Sequence, residues 1–91
     1  MNNTFAVMER FAPEAIQIMK ARYRVLRQVL HNQPIGRRQL GRNLGCTERL
    51  VRAEVDTLRS WGALQTTAAG IYLTPYGEEM LRNIDEIVPY L

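Results

Sequence analysis

Three features of this sequence predict a mainly α-helical domain with one small β-hairpin. A short basic segment ends at Leu44-Gly45, and a second helix starts at once behind a capping residue, Thr47. Two short β-like runs follow, around a turn at Ala68-Ala69-Gly70. Thr74-Pro75 then opens a closing helix. Helix, tight turn, helix and hairpin in that order make a winged helix-turn-helix. The second helix of such a pair is shaped to enter a DNA major groove.

The first helix is expected from Thr4 to Ala12, with Phe5, Met8 and Phe11/Ala12 on one side. Pro13 disfavours helix at the residue before it and suits a fresh start, with Glu14 in the new first turn. The second helix runs to His31 or Asn32, where Asn32 and Pro34 end it. Met19, Tyr23, Leu26 and Leu30 recur at spacings of 4, 3 and 4, the mark of a core stripe. Ile18, Val25 and Val29 form a second apolar stripe, expected to point outward beside the first. Folding back of the Phe5–Phe11 segment is the preferred cover for it, and a second subunit the alternative.

Ile35 stands between Pro34 and Gly36, with room for one bridge to the hairpin. Arg37 to Leu44 is a short helix with Leu40 and Leu44 inward, and Gly45 suits a left-handed C-terminal stop. Thr47 is a good N-cap for the next helix, with Glu48 in its first turn. Val51, Val55 and Leu58 give that helix its core face, and Gly62 after Trp61 stops it. Ala63 to Thr67 and Ile71 to Thr74 read as strands. Met80, Leu81, Ile84, Ile87 and Val88 make the last helix one-sided, and Pro89 ends it; Ile84 and Val88 are expected to offer a further outward stripe. The division expected is an N-terminal helical arm at 1–12, the helix-turn-helix and wing at 13–75, and the C-terminal helix at 75–91.

Ninety-one residues suit one domain with one modest core. No apolar run approaches the roughly 18 residues of a membrane span. The start Met1-Asn2-Asn3-Thr4 lacks the pattern of a signal peptide. One cysteine excludes an internal disulfide, and with one histidine it leaves no plausible zinc site. A cytoplasmic protein is the simplest expectation. No catalytic constellation appears, so no enzyme is expected. Cys46, His31 and Trp61 read as a turn residue, a helix-end surface residue and a core residue.

The net charge of +3 is unevenly spread. Lys20 to Arg59 holds ten basic residues against three acids, while the flanks hold two basic residues against six acids. Eleven of the twelve basic residues are Arg, which forks onto phosphate oxygens and onto guanine O6/N7. With Val51, Val55 and Leu58 inward, the 3.6-residue period turns Glu48, Arg49, Arg52, Ala53 and Asp56 outward. Arg49 is the first candidate for a base contact, to guanine. Glu48 can accept from a cytosine amino group, Arg52 can read a base or grip phosphate, and Leu50 can touch a thymine methyl. Arg37 and Arg38, at a helix start, suit phosphate, as does Arg42. The wing Thr66-Thr67-Ala68-Ala69-Gly70 carries no Arg or Lys, so Thr67 and Gly70 offer only hydroxyl and backbone groups to phosphate. The competing arrangement pairs Arg49 and Arg52 with Glu48 or Asp56 along the helix.

The run PIGRRQLGRNLGCTERLVRAEVDTLRSWGAL resembles the DNA-binding domain of the SorC-family bacterial repressors of central glycolytic genes. PIGRR and TERLVRAEV carry the resemblance most specifically, LTPYGEEML matches the helix after the wing, and the likeness covers about Ala12 to Leu81. It implies the N-terminal part of a longer protein whose C-terminal domain binds a sugar phosphate. Fructose-1,6-bisphosphate is the implied effector for that domain, with no cofactor in this one. The implied partner is double-stranded operator DNA, bound by a homodimer or higher oligomer. The motif matches support Arg37, Arg38, Thr47, Glu48, Arg49, Leu50 and Arg52 as DNA-facing. The alternative is a winged-helix module that binds protein, for which the Glu48–Asp56 face is expected to be more apolar and less rich in Arg.

Overall fold

The computed structural model describes residues 3–91; Met1 and Asn2, with their part of the arm and of the signal-peptide expectation, lie outside the described residues. The order is α1 (Asn3–Phe11), α2 (Pro13–Asn32), α3 (Arg37–Leu44), α4 (Glu48–Ser60), β1 (Leu64–Thr67), β2 (Gly70–Leu73), α5 (Pro75–Ile87) and a 3-10 turn (Val88–Tyr90). This is the predicted winged helix-turn-helix, with boundaries that move by one or two residues.

Local signals act where the sequence places them. Pro13 opens α2 and Pro75 opens α5. Gly45 ends α3 at φ 69°, a left-handed conformation costly for a residue with a Cβ. The Thr74 hydroxyl caps α5 by accepting from the Gly77 N–H at 3.0 Å. The strands pair antiparallel, Leu64 with Leu73 through Thr67 with Gly70. Ile35 adds a single antiparallel bridge to Ile71. Beyond that bridge the Gln33 side chain continues the ladder, its Oε1 accepting from Leu73 N at 2.9 Å.

One core joins these elements. Leu26, Leu40, Val55 and Leu58 are completely inaccessible to solvent, with Val25, Val29, Ile35, Val51, Leu64, Ile71 and Leu81 around them. α3 packs on α4 and α2, while α5 packs on α2 and β2. Gly77 makes the last packing possible: a Cβ built there lands on the Ala63 carbonyl. That carbonyl accepts from Thr74 N at 3.1 Å, so the start of α5 and the end of the hairpin are locked together.

Four expectations need correction. On α2 the buried residues are Ile16, Val25, Leu26 and Val29, so two residues read as an outward stripe belong to the core. Leu30, of the expected core stripe, instead reaches solvent at 36% exposure, while Ile18 is outward as expected, at 49%. Both stripes of α2 are apolar, and periodicity alone does not say which one the helix-turn-helix will cover. Ile84, read as outward, is buried, and Val88 packs partly on the core. Phe11, placed on the packed side of α1, is 70% exposed; α1 does pack on α2, and its Phe5 ring stacks on Tyr90. Trp61 is half exposed rather than core, with the Arg22 guanidinium over its ring at 4.4 Å.

α5 presents Glu78, Glu79, Asp85 and Glu86 to solvent. The Asp85 carboxylate also lies beside Tyr23 of α2 and, with partial burial, raises the phenol above its usual pKa. Among the described residues no helix is long and apolar enough to cross a membrane.

Candidate nucleic-acid interface

The site begins with the seating of α4. Thr47 Oγ1 accepts from Leu50 N at 3.2 Å and fixes where the helix starts. Val51, Val55 and Leu58 are buried, so the opposite face is turned outward. The helix is held at that rotation by α2. Arg22 Nε donates to Glu54 Oε2 at 2.9 Å while its guanidinium lies over Trp61, just past the helix end. Arg24 Nη2 donates to the Leu44 carbonyl at 3.1 Å, satisfying one acceptor at the end of α3. Arg22 and Arg24 therefore serve the frame. Gly41 is a further frame residue that sequence reading missed: a Cβ there would meet the Cys46 carbonyl at 3.1 Å and Val51 at 3.4 Å. A side chain there would be a tight fit, asking the turn before α4 to give by a few tenths of an ångström.

Glu48, Arg49, Ala53, Arg52 and Asp56 are all exposed, as the helical period requires. Glu48, Arg49 and Arg52 line one shallow surface depression. Neither arginine makes an ion pair or hydrogen bond among the described residues. The pairing of Arg49 and Arg52 along the helix is thus not seen; of the acids on α4, Glu54 pairs with Arg22 and Asp56 with Arg59. Two free guanidinium groups beside a carboxylate form a face of donors and acceptors able to meet base edges. Leu50 is 62% exposed but stands apart, lining a groove with Ala21, Arg24 and Cys46 on the α2 side. The Thr47 oxygen is engaged as a cap, which leaves its hydroxyl hydrogen for an outside acceptor.

The second group lies where α3 starts. Gly36 caps α3 without a side-chain bond, so the first-turn N–H groups face outward unsatisfied. Arg38 is exposed there. Arg37 lines an open cleft of about 320 Å³ together with Gly36, Thr66, Thr67, Gly70 and Ile71. Its Nε is buried with no hydrogen-bond partner. The fold has therefore brought the start of α3 and the wing, read separately in sequence, to one place. Arg42 is exposed on the last turn of α3, its Nη1 donating to Gln39 Oε1 at 3.3 Å. Thr67 is less available than its composition suggests: its hydroxyl donates to the Gly70 carbonyl at 3.0 Å and accepts from Ala69 N at 3.1 Å. It holds the turn in shape.

Among the described residues no group of His, Cys, Asp and Glu is placed to hold a metal ion. Cys46 is a free, exposed thiol, 3.7 Å from the Leu44 carbonyl.

Comparison with known proteins gives the family. The model of the CggR N-terminal DNA-binding domain family matches residues 18–88. A central glycolytic genes regulator from Priestia megaterium is 35% identical over 97% of the chain, and one from Bacillus subtilis is 30% identical over 94%. The matched parts are 26% and 25% of those two proteins, so the chain spans about a quarter of their length.

Proposed function

The chain belongs to the CggR N-terminal DNA-binding domain family, and on that premise we propose that it is the operator-reading part of a bacterial repressor of glycolytic genes. α4 lies in the major groove, with Glu48, Arg49 and Arg52 toward base edges and Thr47 and Leu50 at its margins. Arg37, Arg38 and Arg42, with the wing backbone at Thr67 and Gly70, hold phosphates on either side. The single observation carrying this reading is the outward face of α4, where two arginines stand unpaired on a capped, firmly seated helix. Repression follows from occupying the operator, with no chemistry of its own. By the same reading the protein works in the cytoplasm, on the nucleoid, as a SorC-type oligomer. Its sugar-phosphate effector, fructose-1,6-bisphosphate, then acts on a part outside these 91 residues.

The direct test is selection from a randomised duplex library at moderate salt, followed by sequencing of the retained DNA. Recovery of a motif supports sequence reading by α4. Retention without enrichment limits the domain to electrostatic binding, and no retention removes the DNA reading in favour of a protein partner.

Two substitutions separate the roles. Arg49→Ala is expected to weaken binding to the selected site by about 1–3 kcal/mol and to relax preference at one base pair. An equal loss on every duplex would refute base reading by Arg49. Arg38→Ala is expected to weaken all duplexes alike and to lower the salt slope by about 1. A slope that stays where it was removes Arg38 from the phosphate contacts.

A further inference from the structure

The wing has no cation of its own, yet the fold brings one to it. Arg59, on the last turn of α4, donates from Nη1 to Thr66 Oγ1 on β1 at 3.4 Å. Its Nη2 lies 3.6 Å from Asp56 Oδ1, with both side chains about half exposed. Arg59 follows Arg52 by seven residues, so it continues the same outward face of α4 toward the hairpin. Thr66 also lines the cleft that holds Arg37, whose Nε is buried without a partner. Thr66 therefore stands between Arg59, its hydrogen-bond partner from α4, and the cleft that Arg37 lines from the start of α3.

We infer that Arg59 is a further DNA-contacting residue, which with Arg37 forms beneath the wing the cationic seat for a backbone phosphate that the wing's own sequence lacks. The inference rests on the DNA-binding reading above. The Thr66 hydroxyl aims the guanidinium, and Asp56 holds it in place while no DNA is bound. An exposed ion pair of this kind is weak, because solvent screens it and ordering two side chains costs entropy. A phosphate offers Arg59 a stronger, two-pronged acceptor. The bound phosphate displaces the Asp56 contact and keeps the guanidinium under the wing.

The test is fluorescence anisotropy on a labelled mixed-sequence duplex over a range of salt concentrations. Wild type, Arg59→Ala, Arg59→Lys, Asp56→Asn and the double variant are compared, with circular dichroism to confirm folding. Arg59→Ala is expected to lower the slope of log affinity against log salt by about 0.9, the loss of one phosphate contact. Arg59→Lys is expected to keep the slope. Asp56→Asn is expected to raise affinity, and by more when Arg59 is present than in the double variant. An unchanged slope for Arg59→Ala, while Arg38→Ala still lowers it, overturns the inference and leaves the DNA-binding reading standing. Equal gains from Asp56→Asn in both backgrounds overturn the role given to Asp56. If wild type fails to bind the duplex even at low salt, the DNA-binding reading falls and this inference with it.

Discussion

Gly77→Ala is expected to destabilise the domain by about 3 kcal/mol, at the upper end of what overpacking costs. The added methyl group would coincide with the Ala63 carbonyl, and backbone cannot rotate aside as the tip of a side chain can. Either α5 or the hairpin must shift. Both are tied at that point by Thr74, which donates through N–H to Ala63 and through its hydroxyl to the Gly62 carbonyl. A shift therefore breaks the cap of α5 and disturbs the base of the wing together. Alanine is the better helix former by about 1 kcal/mol, so any measured loss understates the clash. Urea unfolding followed by circular dichroism measures it, and a drop of about 12–24 °C in the thermal midpoint should accompany it in a domain of this size. A change of only a few tenths of a kcal/mol would mean that α5 is free to move away from the hairpin.

Leu58→Ala is expected to cost between about 2 and 5 kcal/mol. Leu58 is completely buried, and its removal opens a void in the core that α4 shares with its neighbours. α4 is the element that carries Glu48, Arg49 and Arg52, and three inward residues fix its rotation. The variant should therefore lose selectivity among duplexes as well as stability, because the reading face is no longer held at one angle. Denaturant unfolding and binding to the selected site provide the two readouts. A variant of wild-type stability would show that the surrounding side chains collapse into the space; unchanged selectivity would show that Val51 and Val55 hold α4 unaided.

Features set by a few neighbouring residues were legible in the sequence. Thr47 and Thr74 as caps, Gly45 as a stop, Ile35 as a single bridge and the inward line of α4 each depend on local backbone geometry. The outward position of Glu48, Arg49 and Arg52 followed directly from that inward line. What was not legible depends on which elements meet. The two apolar stripes of α2 are equivalent until α3 and α5 choose their sides, so Val25 and Val29 were misplaced. Trp61 looked like core because it is large and apolar, yet Arg22 from α2 covers its face and leaves the edge in water. Gly41 and Gly77 are ordinary glycines in sequence, and only the approach of Cys46 and of Ala63 gives them a role. The nearness of Arg59 to the wing required the hairpin to turn back along α4.

α5 carries four exposed acids against one exposed arginine, Arg82, while Arg38, Arg42, Arg49 and Arg52 are exposed on α3 and α4. This difference between elements gives the domain a charge asymmetry, and its consequence is kinetic. On the proposed reading, a duplex approaching from solution repels the α5 side and attracts the helix-turn-helix side, so the protein is turned before it touches. Fewer collisions are lost to the wrong orientation, and association speeds up at low ionic strength, where the field reaches furthest. On that reading α5 stands off the DNA, yet its acids shorten the search.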